Sequence, residues 1–383
     1  MQTVLQYTID IFCEKRGENM KMHIIPGFEF PEDKHNFIDN ADYTPLDKLY
    51  EGRKAYYGDF HAHSDSGGTS DGKMKPENWL LGMKEYKIDF IGLLDHKQVR
   101  HMYLDCFDDE YFVCGTEPGG SWNDPHLSFH YLMIVPERDS MMKVLEMFPD
   151  VFEFTGGTEG TYVYKRIDKD RFLDVVKAVR NEGGVVVHAH PKQVMKSDNP
   201  HDFYFGEGTI IETLYTYDSP YLGNEATQKN YKLWMEMLDL GYKVINTGTN
   251  DSHRQTMLVA LNTVYSDRKN SKAYVEYLRK GDLNAGFFGI KMSIDSNPVG
   301  STATYKDGMV LYIKVDDVHT FRFDRDETYR IDIITDKGMA YSSKMALPFK
   351  VALSVEKRKF YRTVIIRESD GAPVAIGNPI WLE

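Results

Sequence analysis

The chain has 383 residues, enough for a large core with an accessory domain. Its 42% apolar and 27% charged residues are ordinary for a globular protein, which excludes disordered, collagen-like and low-complexity classes. The formal net charge is −12 without any basic run, so we expect no nucleic-acid partner. A small anionic substrate is compatible with this charge, because a metal site can supply positive charge locally.

Cysteine usage and the N-terminal sequence bear on the compartment. Cys13, Cys106 and Cys114 form no CxxC pair and no disulfide framework, which favours a reducing environment. The N-terminus lacks the basic region, apolar stretch and cleavage site of a secretory signal. No apolar run approaches the roughly 18 residues of a membrane span. These features predict a cytoplasmic protein without membrane contact, and they leave its oligomeric state open.

Seven short apolar runs organise the chain from Tyr56 onward. Before them, alternation of apolar and polar residues predicts an N-terminal strand over 5–11, and the rest of residues 1–55 is expected to be an irregular lead-in. Between the runs, helices are predicted over 76–86, 170–181 and 224–240. The seven runs are 56–63, 88–96, 111–117, 129–135, 183–190, 209–216 and 242–253.

Alternation of these runs with helices predicts βα units and a parallel sheet. Nearly every run carries His, Asp or Glu at or just past its C-terminal end. In a βα barrel these ends converge on the face that holds the active site. We therefore predict an α/β fold, a distorted seven-stranded TIM-like barrel, over residues 56–290.

Beyond residue 290 the sequence predicts strands without helices. Turn signals such as Asp336-Lys337-Gly338 separate the strand-like runs. A segment of about 90 residues with this pattern is typical of a β-sandwich. We therefore predict an antiparallel β-sandwich domain over 291–383, with which the N-terminal strand can pair. Its strand-like runs are 309–315, 329–335, 348–355 and 360–368.

The strongest local signal for chemistry is His61-Ala62-His63, which ends the first run. Residues i and i+2 of a strand point to the same side, so both imidazoles can face the barrel mouth and bind one cation. The same spacing recurs at His188-Ala189-His190 and at Asp251-Ser252-His253. A lone histidine is more often a packing residue than a ligand, and we expect His188 either to orient a ligand or to pack in the core.

Further candidates lie at the ends of other runs. His96 and Glu117 close the second and third runs, and His130 lies near the start of the fourth. Mixed histidine and carboxylate ligands suit Zn²⁺, Mn²⁺ or Fe²⁺, so the set predicts a polynuclear site. Asp95 precedes His96 and points the other way on a strand, so it either orients a ligand imidazole or caps the next helix.

Paired cations would explain how such a site performs hydrolysis. A carboxylate such as Asp251 or Glu117 can bridge two cations roughly 3.5–4 Å apart, the usual clamp for displacement at phosphorus. A metal-bound hydroxide then serves as the nucleophile. The chain has neither a GxSxG elbow nor a P-loop, which agrees with this mechanism.

Three basic residues follow candidate ligands by one or two positions: Lys97, Lys192 and Arg254. They either bind an anionic group of the substrate or are solvated loop charges. Tyr215 and Tyr217 close the sixth run, where they either line the pocket or pack in the sheet.

Seven motifs occur in a fixed order along residues 61–253. They are His61-x-His63, Ser70-Asp71-Gly72, Leu94-Asp95-His96, Gly115-Thr116-Glu117, His130, Ala189-His190-Pro191 and Asp251-Ser252-His253. This ordered set resembles the PHP (polymerase and histidinol phosphatase) superfamily of distorted seven-stranded barrels with two or three metals. The resemblance covers roughly residues 56–290. It implies the ligands His61, His63, Asp71, His96, Glu117, His130, His190, Asp251 and His253.

One departure from the family concerns the Ser-Asp-Gly motif. The family usually places it nearer the His-x-His pair, and here residues 65–69 lengthen the intervening loop. Asp65 is therefore an alternative to Asp71 as a ligand. A second resemblance concerns the C-terminal domain, which ends in Gly377-Asn378-Pro379-Ile380-Trp381. It is similar to CehA/McbA-type metallohydrolases, a branch that joins a PHP barrel to β-domains and includes hydrolases of carbamate or aryl esters.

The resemblance implies a metal-dependent phosphoesterase acting on a small anionic phosphoester. The alternative within the enzymes is a carboxyl-ester, carbamate or amide hydrolase, which can use the same metal-bound hydroxide. A basic pocket favours the phosphoester, and an aromatic pocket favours the ester. The amidohydrolase superfamily also begins with His-x-His, but it lacks the later Asp-His and the final Asp-x-His pair. A non-catalytic metal- and glycan-binding module would have lost ligands, and none is lost here.

Overall fold

The computed structural model describes residues 30–122, 126–155, 160–217, 221–254 and 256–383. The predicted N-terminal strand at 5–11 lies outside these ranges. Within the lead-in, the chain forms a short helix, α1 (Thr44–Tyr50), where the sequence predicted irregular structure. Leu46 and Tyr50 lie one helical turn apart and are buried against Tyr265. The prediction was wrong here because seven residues are too few to show a helical period.

Each of the seven predicted runs contains a strand. The strands up to residue 249 are β1 (Lys54–Ala62), β2 (Phe90–Leu93), β3 (Phe112–Thr116), β4 (Gly120–Ser121), β5 (Ser128–Val135), β6 (Phe152–Phe154), β7 (Tyr162–Tyr164), β8 (Val185–Ala189), β9 (Ile210–Tyr215) and β10 (Ile245–Thr249). In the main sheet they follow the order β10-β9-β8-β5-β3-β2-β1. The pairs β1/β2, β2/β3, β8/β9 and β9/β10 are parallel, as the βα pattern predicts.

Strand β5 is antiparallel to both of its neighbours, β3 and β8. The prediction of a parallel sheet is wrong at this strand, because the connection of residues 117–127 is too short for a helical crossover. The reversal brings the start of β5 beside the ends of β3 and β8, and the register pairs His130 with Ala189. His130 therefore lies at the same edge as the residues that follow the parallel strands.

The first and last strands of this run meet at their C-terminal ends. Ala62 and Ser252 form a parallel bridge, and the His63 N–H donates to the Ser252 carbonyl at 2.9 Å. The prediction of a mixed α/β fold is confirmed. The closed seven-stranded barrel stays a prediction.

Helices connect the strands much as the sequence predicts. They are α2 (Pro76–Tyr86), α3 (Arg138–Met147), α4 (Lys169–Asn181), α5 (Pro191–Val194), α6 (Glu225–Asp239) and α7 (Ser271–Lys280), with 3₁₀ turns at Arg100–Tyr103 and Pro200–Phe203. Pro76 occupies the first turn of α2, where its missing N–H costs nothing. Asn224 caps α6 by accepting the Thr227 N–H at 2.9 Å. None of the helices in the described ranges has the length and apolar character that crossing a membrane requires.

The C-terminal part consists of short strands, as predicted. They are β11 (Asn262–Ser266), β12 (Leu283–Gly286), β13 (Phe288–Ile294), β14 (Asn297–Pro298), β15 (Thr302–Ala303), β16 (Val310–Val318), β17 (Tyr329–Thr335), β18 (Gly338–Met345), β19 (Phe349–Ser354), β20 (Phe360–Arg367), β21 (Pro373–Gly377) and β22 (Ile380–Leu382). The four predicted runs contain β16, β17, β19 and β20. Strand β18 was missed because it lies at the end of its sheet, where polar side chains are tolerated.

Two groups of strands make up this part. One is the four-stranded sheet β14-β13-β16-β19, and the other continues the main sheet through β11-β12-β21-β20-β17-β18. The Phe288 and Tyr329 rings, 4.9 Å apart, pack one group against the other. Pairing of β12 with β21 joins residues on the two sides of the predicted boundary at 290. The domain division and the sandwich stay predictions.

A buried ion pair joins the lead-in to the C-terminal strands. Asp33 accepts hydrogen bonds from Arg358 Nε at 2.8 Å and from Thr335 Oγ1 at 2.6 Å. His35 Nε2 lies 3.1 Å from the same carboxylate. Burial alone would raise the pKa of Asp33, but Arg358 and these neighbours hold it well below its usual range.

We predict that Asp33→Asn lowers the free energy of unfolding by about 3 kcal/mol near neutral pH, because it leaves Arg358 without its counter-charge. Since folding lowers the pKa of Asp33, its contribution is present above the unfolded pKa of about 4 and is lost as the pH falls below that value. Urea unfolding at several pH values measures this, and the deficit of the variant should shrink in acid.

The matched control is Asp47→Asn, which removes only an exposed ion pair with Lys314. It should cost less than about 1 kcal/mol. Equal losses for the two variants would contradict the role assigned to Asp33.

Candidate metal centre

The strand ends and the loops that follow them bring together all nine side chains that were predicted to bind metal. They form three overlapping groups in which one donor atom per residue lies within 4.8 Å of the others. His61 lies in β1 and His63 directly follows it, with their Nε2 atoms 3.1 Å apart and both rings buried. The predicted proximity is present, and the role of these residues as ligands stays a prediction.

The first group is fully buried and consists of His61, His63, Glu117 and Asp251. Asp251 Oδ1 lies 3.0 Å from His63 Nε2 and 3.3 Å from His61 Nε2. Glu117 Oε2 lies 3.2 Å from both of these nitrogens. Two imidazoles and two carboxylates thus converge on one point.

The second group is more open and consists of His63, Asp71, His96 and His253. Asp71 Oδ1 lies 3.2 Å from His253 Nε2, and Asp71 Oδ2 lies 3.7 Å from His96 Nε2. Asp65 is exposed and belongs to none of the three groups. The geometry therefore favours Asp71 over Asp65.

The third group is formed by Glu117, His130 and His190. Glu117 Oε1 lies 2.9 Å from His130 Nδ1 and 3.5 Å from His190 Nε2. The two oxygens of Glu117 thus face different groups. A carboxylate in this position is placed to bridge.

Some of these buried donor atoms lack hydrogen bonds, and bound cations would satisfy them. Glu117 Oε1 and His130 Nδ1 are buried and 2.9 Å apart, yet they form no hydrogen bond of acceptable geometry, and no other described residue offers them one. Buried polar atoms without partners require an explanation, and a shared cation supplies one. The mixed imidazole and carboxylate donors are those that Zn²⁺, Mn²⁺ or Fe²⁺ accepts.

The charge of the site also requires cations or protons. Burial alone would lower the pKa of His63, but Asp251 and Glu117 raise it to about 9. Against the effect of burial, Asp251, Glu212 and Glu117 raise the pKa of His61 well above its usual value. Burial would raise the pKa of Glu117, but the imidazoles, His61 first, lower it strongly. Metal ions would replace protons as the positive charge beside these carboxylates.

Glu212 supports the centre and was missed by sequence reasoning. It is buried in β9, with Oε1 2.8 Å from His61 Nδ1, and its Oε2 accepts the His190 N–H at 2.6 Å. It therefore fixes the ring of one candidate ligand and the backbone of another. The available signal was a carboxylate inside the apolar run 209–216, since such a group needs polar partners.

Asp251 is held by several contacts in a left-handed backbone conformation, with φ +45°. Its N–H donates to Thr249 Oγ1 at 3.2 Å, and Tyr215 Oη donates to its Oδ2 at 2.9 Å. His253 Nδ1 donates to the Asp251 carbonyl at 2.8 Å, which leaves Nε2 to face Asp71. Tyr215 therefore positions a candidate ligand.

Asp95 binds the turn after His63 rather than a candidate ligand. It accepts the Ser64 N–H at 2.6 Å and the Ser64 hydroxyl at 2.8 Å. Its Oδ2 lies 3.3 Å from His101 Nδ1, and His101 Nε2 donates to the Gly115 carbonyl at 3.1 Å. These contacts match neither role considered from the sequence. No sequence pattern had singled out His101.

Of the three predicted substrate cations, one lies beside the centre. A cavity of about 740 Å³ is lined by Lys97 together with His96 and His130. Lys192 Nζ instead donates to a backbone carbonyl 2.5 Å away in the loop after α5. Arg254 is exposed and is not among the described residues that line this cavity.

His188 is a packing residue, one of the two roles predicted for it. Its ring stacks on that of Phe205 with centroids 4.6 Å apart, and burial lowers its pKa to about 3. It is therefore neutral and lies outside the three groups.

The chain is similar to several solved structures at low sequence identity. One is a two-domain protein from Bacteroides vulgatus that contains a predicted PHP-like metal-dependent phosphoesterase. The alignment covers 92% of this chain and 99% of that protein, at 13% identity and a TM-score of 0.41. The alignment with a candidate metal-dependent phosphoesterase from Bifidobacterium adolescentis covers 52% of this chain and 88% of that protein, at 16% identity and a TM-score of 0.35. The alignment with an amidohydrolase from Chromobacterium violaceum covers 51% of this chain and 87% of that protein, at 15% identity and a TM-score of 0.35.

No family model and no curated protein matches the chain. One of the three structures is described as PHP-like, the superfamily that the motif order resembles. At these identities and TM-scores the likenesses carry no argument about activity, so function is argued from the side chains. The resemblance to the CehA/McbA branch stays a prediction.

We predict that Glu212→Gln weakens divalent-metal binding about 10- to 100-fold, because the amide removes the charge that fixes His61. Calorimetric titration with Mn²⁺ or Zn²⁺ measures the change. Glu236→Gln, which alters an exposed carboxylate on α6, is the control and should bind as the wild type does. Unchanged affinity in Glu212→Gln would remove its positioning role.

Asp71→Asn is expected to reduce the number of bound metal ions, because its carboxylate faces His96 and His253. Asp65→Asn should leave that number unchanged, and the two variants remove the same charge from the same loop. Elemental analysis of both proteins decides between them. Loss of metal from the Asp65 variant alone would reverse the assignment.

Proposed function

We propose that this protein is a metal-dependent phosphoesterase whose nine donor side chains hold two or three divalent cations. The observation that carries the proposal is the position of Glu117, whose two oxygens belong to different donor groups. A carboxylate so placed can bridge two cations, and paired cations are the usual arrangement for in-line displacement at phosphorus. Zn²⁺, Mn²⁺ and Fe²⁺ suit these donors.

The exposure of the side chains gives the direction from which a substrate reaches the centre. When bound, such cations lower the pKa of a water molecule and offset negative charge on the attacked group. His61 and Glu117 are buried, whereas the His130 and Asp71 side chains are 36% and 51% exposed. The substrate therefore arrives from the side of His130 and Asp71.

The surroundings of the centre favour a phosphoester. Among the described residues, the cavity beside His130 is lined next to the centre by Lys97, which directly follows His96, and by no acidic side chain. Positive charge of this kind suits a phosphate group. The partly exposed Tyr164 also lines the cavity, and this aromatic ring makes a carboxyl ester, carbamate or amide the second candidate.

A non-catalytic metal- and glycan-binding role is less well supported. All nine predicted ligands belong to the donor groups, and the set keeps an open side next to a cavity. A structural metal site is usually closed, whereas a catalytic site keeps an open position.

We also propose the finer architecture for this chain. The bridge between Ala62 and Ser252 supports a distorted seven-stranded barrel over 56–290. The contact between Phe288 and Tyr329 supports a β-sandwich over 291–383. A cytoplasmic location is proposed from the cysteine content alone.

Turnover of two substrates with one leaving group tests the reaction. Metal-reconstituted protein is expected to hydrolyse 4-nitrophenyl phosphate in preference to 4-nitrophenyl acetate. Asp251→Asn should lower kcat about 1,000-fold or more, because metal ions contribute several kcal/mol to such reactions. The exposed Asp198→Asn is the control and should keep full activity.

Faster hydrolysis of 4-nitrophenyl acetate would favour the carboxyl-ester hydrolase over the phosphoesterase. Turnover of neither substrate, or full activity of Asp251→Asn, would contradict the proposed function.

A further inference from the structure

The cavity beside the metal centre has the size of a small-molecule site. Its volume is about 740 Å³, and His96 and His130 of the centre line it. Pockets for small molecules commonly measure about 300–1,000 Å³. A compact substrate fits there, with its reacting group at the two histidines.

The charge of this cavity differs from that of the chain as a whole. The chain has a net charge of −12, yet the described residues that line the cavity include Lys97 and Arg166 and no acidic side chain. A second cavity, of about 550 Å³, has the opposite character. It is lined by Asp105, Asp108, Asp109, Glu137 and Asp139 with Arg138. The cavity beside the centre is therefore the one that suits an anionic ligand.

Lys97 is fixed at the end of the cavity that adjoins the centre. Its backbone has φ +51°, and its N–H donates to the Glu117 carbonyl at 3.2 Å. Its own carbonyl accepts the Tyr162 N–H at 2.9 Å. Lys97 also directly follows His96, so its position next to the reacting group is set by the backbone.

Arg166 is anchored away from the metal donors. Its Nε donates to Ser121 Oγ at 3.0 Å, and Ser121 pairs with Ser128 between β4 and β5. Ser128 precedes His130 by two residues on β5, a step of about 7 Å along an extended strand. The Arg166 guanidinium is therefore hydrogen-bonded to a residue that lies away from the His130 donor atom. Arg166 is exposed and lines the cavity, so a ligand there can reach it.

We propose that Arg166 binds a second anionic group, a carboxylate or a further phosphate, on the part of the substrate that is not attacked. Tyr164 lines the same cavity and is partly exposed, so its ring can pack against a flat organic spacer. The substrate class is then a small phosphoester that carries a second anionic group away from the attacked one. The identity of the attacked group rests on the proposed function.

Binding of stable phosphonates tests this without turnover. Calorimetric titration of Mn²⁺-reconstituted protein compares phenylphosphonate, 4-phosphonobenzoate and 1,4-phenylenediphosphonate. The wild type is expected to bind one or both of the doubly anionic ligands about 10-fold or more tightly than phenylphosphonate. In Arg166→Gln this advantage should disappear while the affinity for phenylphosphonate is kept. Arg279→Gln, which removes an exposed cation from α7, is the control and should behave as the wild type.

An advantage for 4-phosphonobenzoate alone identifies a carboxylate, and one for the diphosphonate alone identifies a phosphate; each supports the proposal. Equal affinities in the wild type, an advantage that survives in Arg166→Gln, or an equal loss for all three ligands would overturn it. Hydrolysis of 4-nitrophenyl phosphate is assayed separately. If it is absent while the binding advantage is present, the proposed function fails and the second anionic subsite stands.

Discussion

A buried carboxylate surrounded by imidazoles is the constraint on which the rest of this structure depends. Glu117 is fully buried, with one oxygen 3.2 Å from His61 and His63 and the other 2.9 Å from His130. Removing a charge from water costs free energy that only hydrogen bonds and nearby positive charge can offset. The imidazoles lower the pKa of Glu117 in spite of its burial, so the carboxylate stays ionised. The fold must therefore bring several strand ends together around this one residue.

The strand order meets that requirement. Reversal of β5 brings His130 to the edge where the parallel strands end, and the bridge between Ala62 and Ser252 brings the first and last strands together there. Glu212 and Tyr215, both on β9, hold the inner donors in place from behind. The result is a group of donors that is buried on one side and open on the side of the cavity, which is the arrangement that the proposed metal site requires.

Local patterns predicted much of this arrangement. Apolar runs located the seven strands, and the i,i+2 spacing located paired side chains that the structure brings together as candidate ligands. Long-range contacts could not be predicted in this way: Glu212 and His61 are 151 residues apart, and the anchoring of Arg166 depends on the pairing of two strands. Proximity in sequence also misled, because Lys192 follows a candidate ligand closely yet its ammonium group is bound elsewhere. The direction of a loop side chain depends on tertiary contacts, which the periodicity of apolar residues in the sequence does not reveal.

The central claim is that the nine donor side chains hold a polynuclear metal centre. The most direct test is elemental analysis of protein purified without chelator and without affinity-column metal. This account predicts two or three equivalents of Zn, Mn or Fe per chain. A chain that binds none of these metals, even after reconstitution, would contradict it.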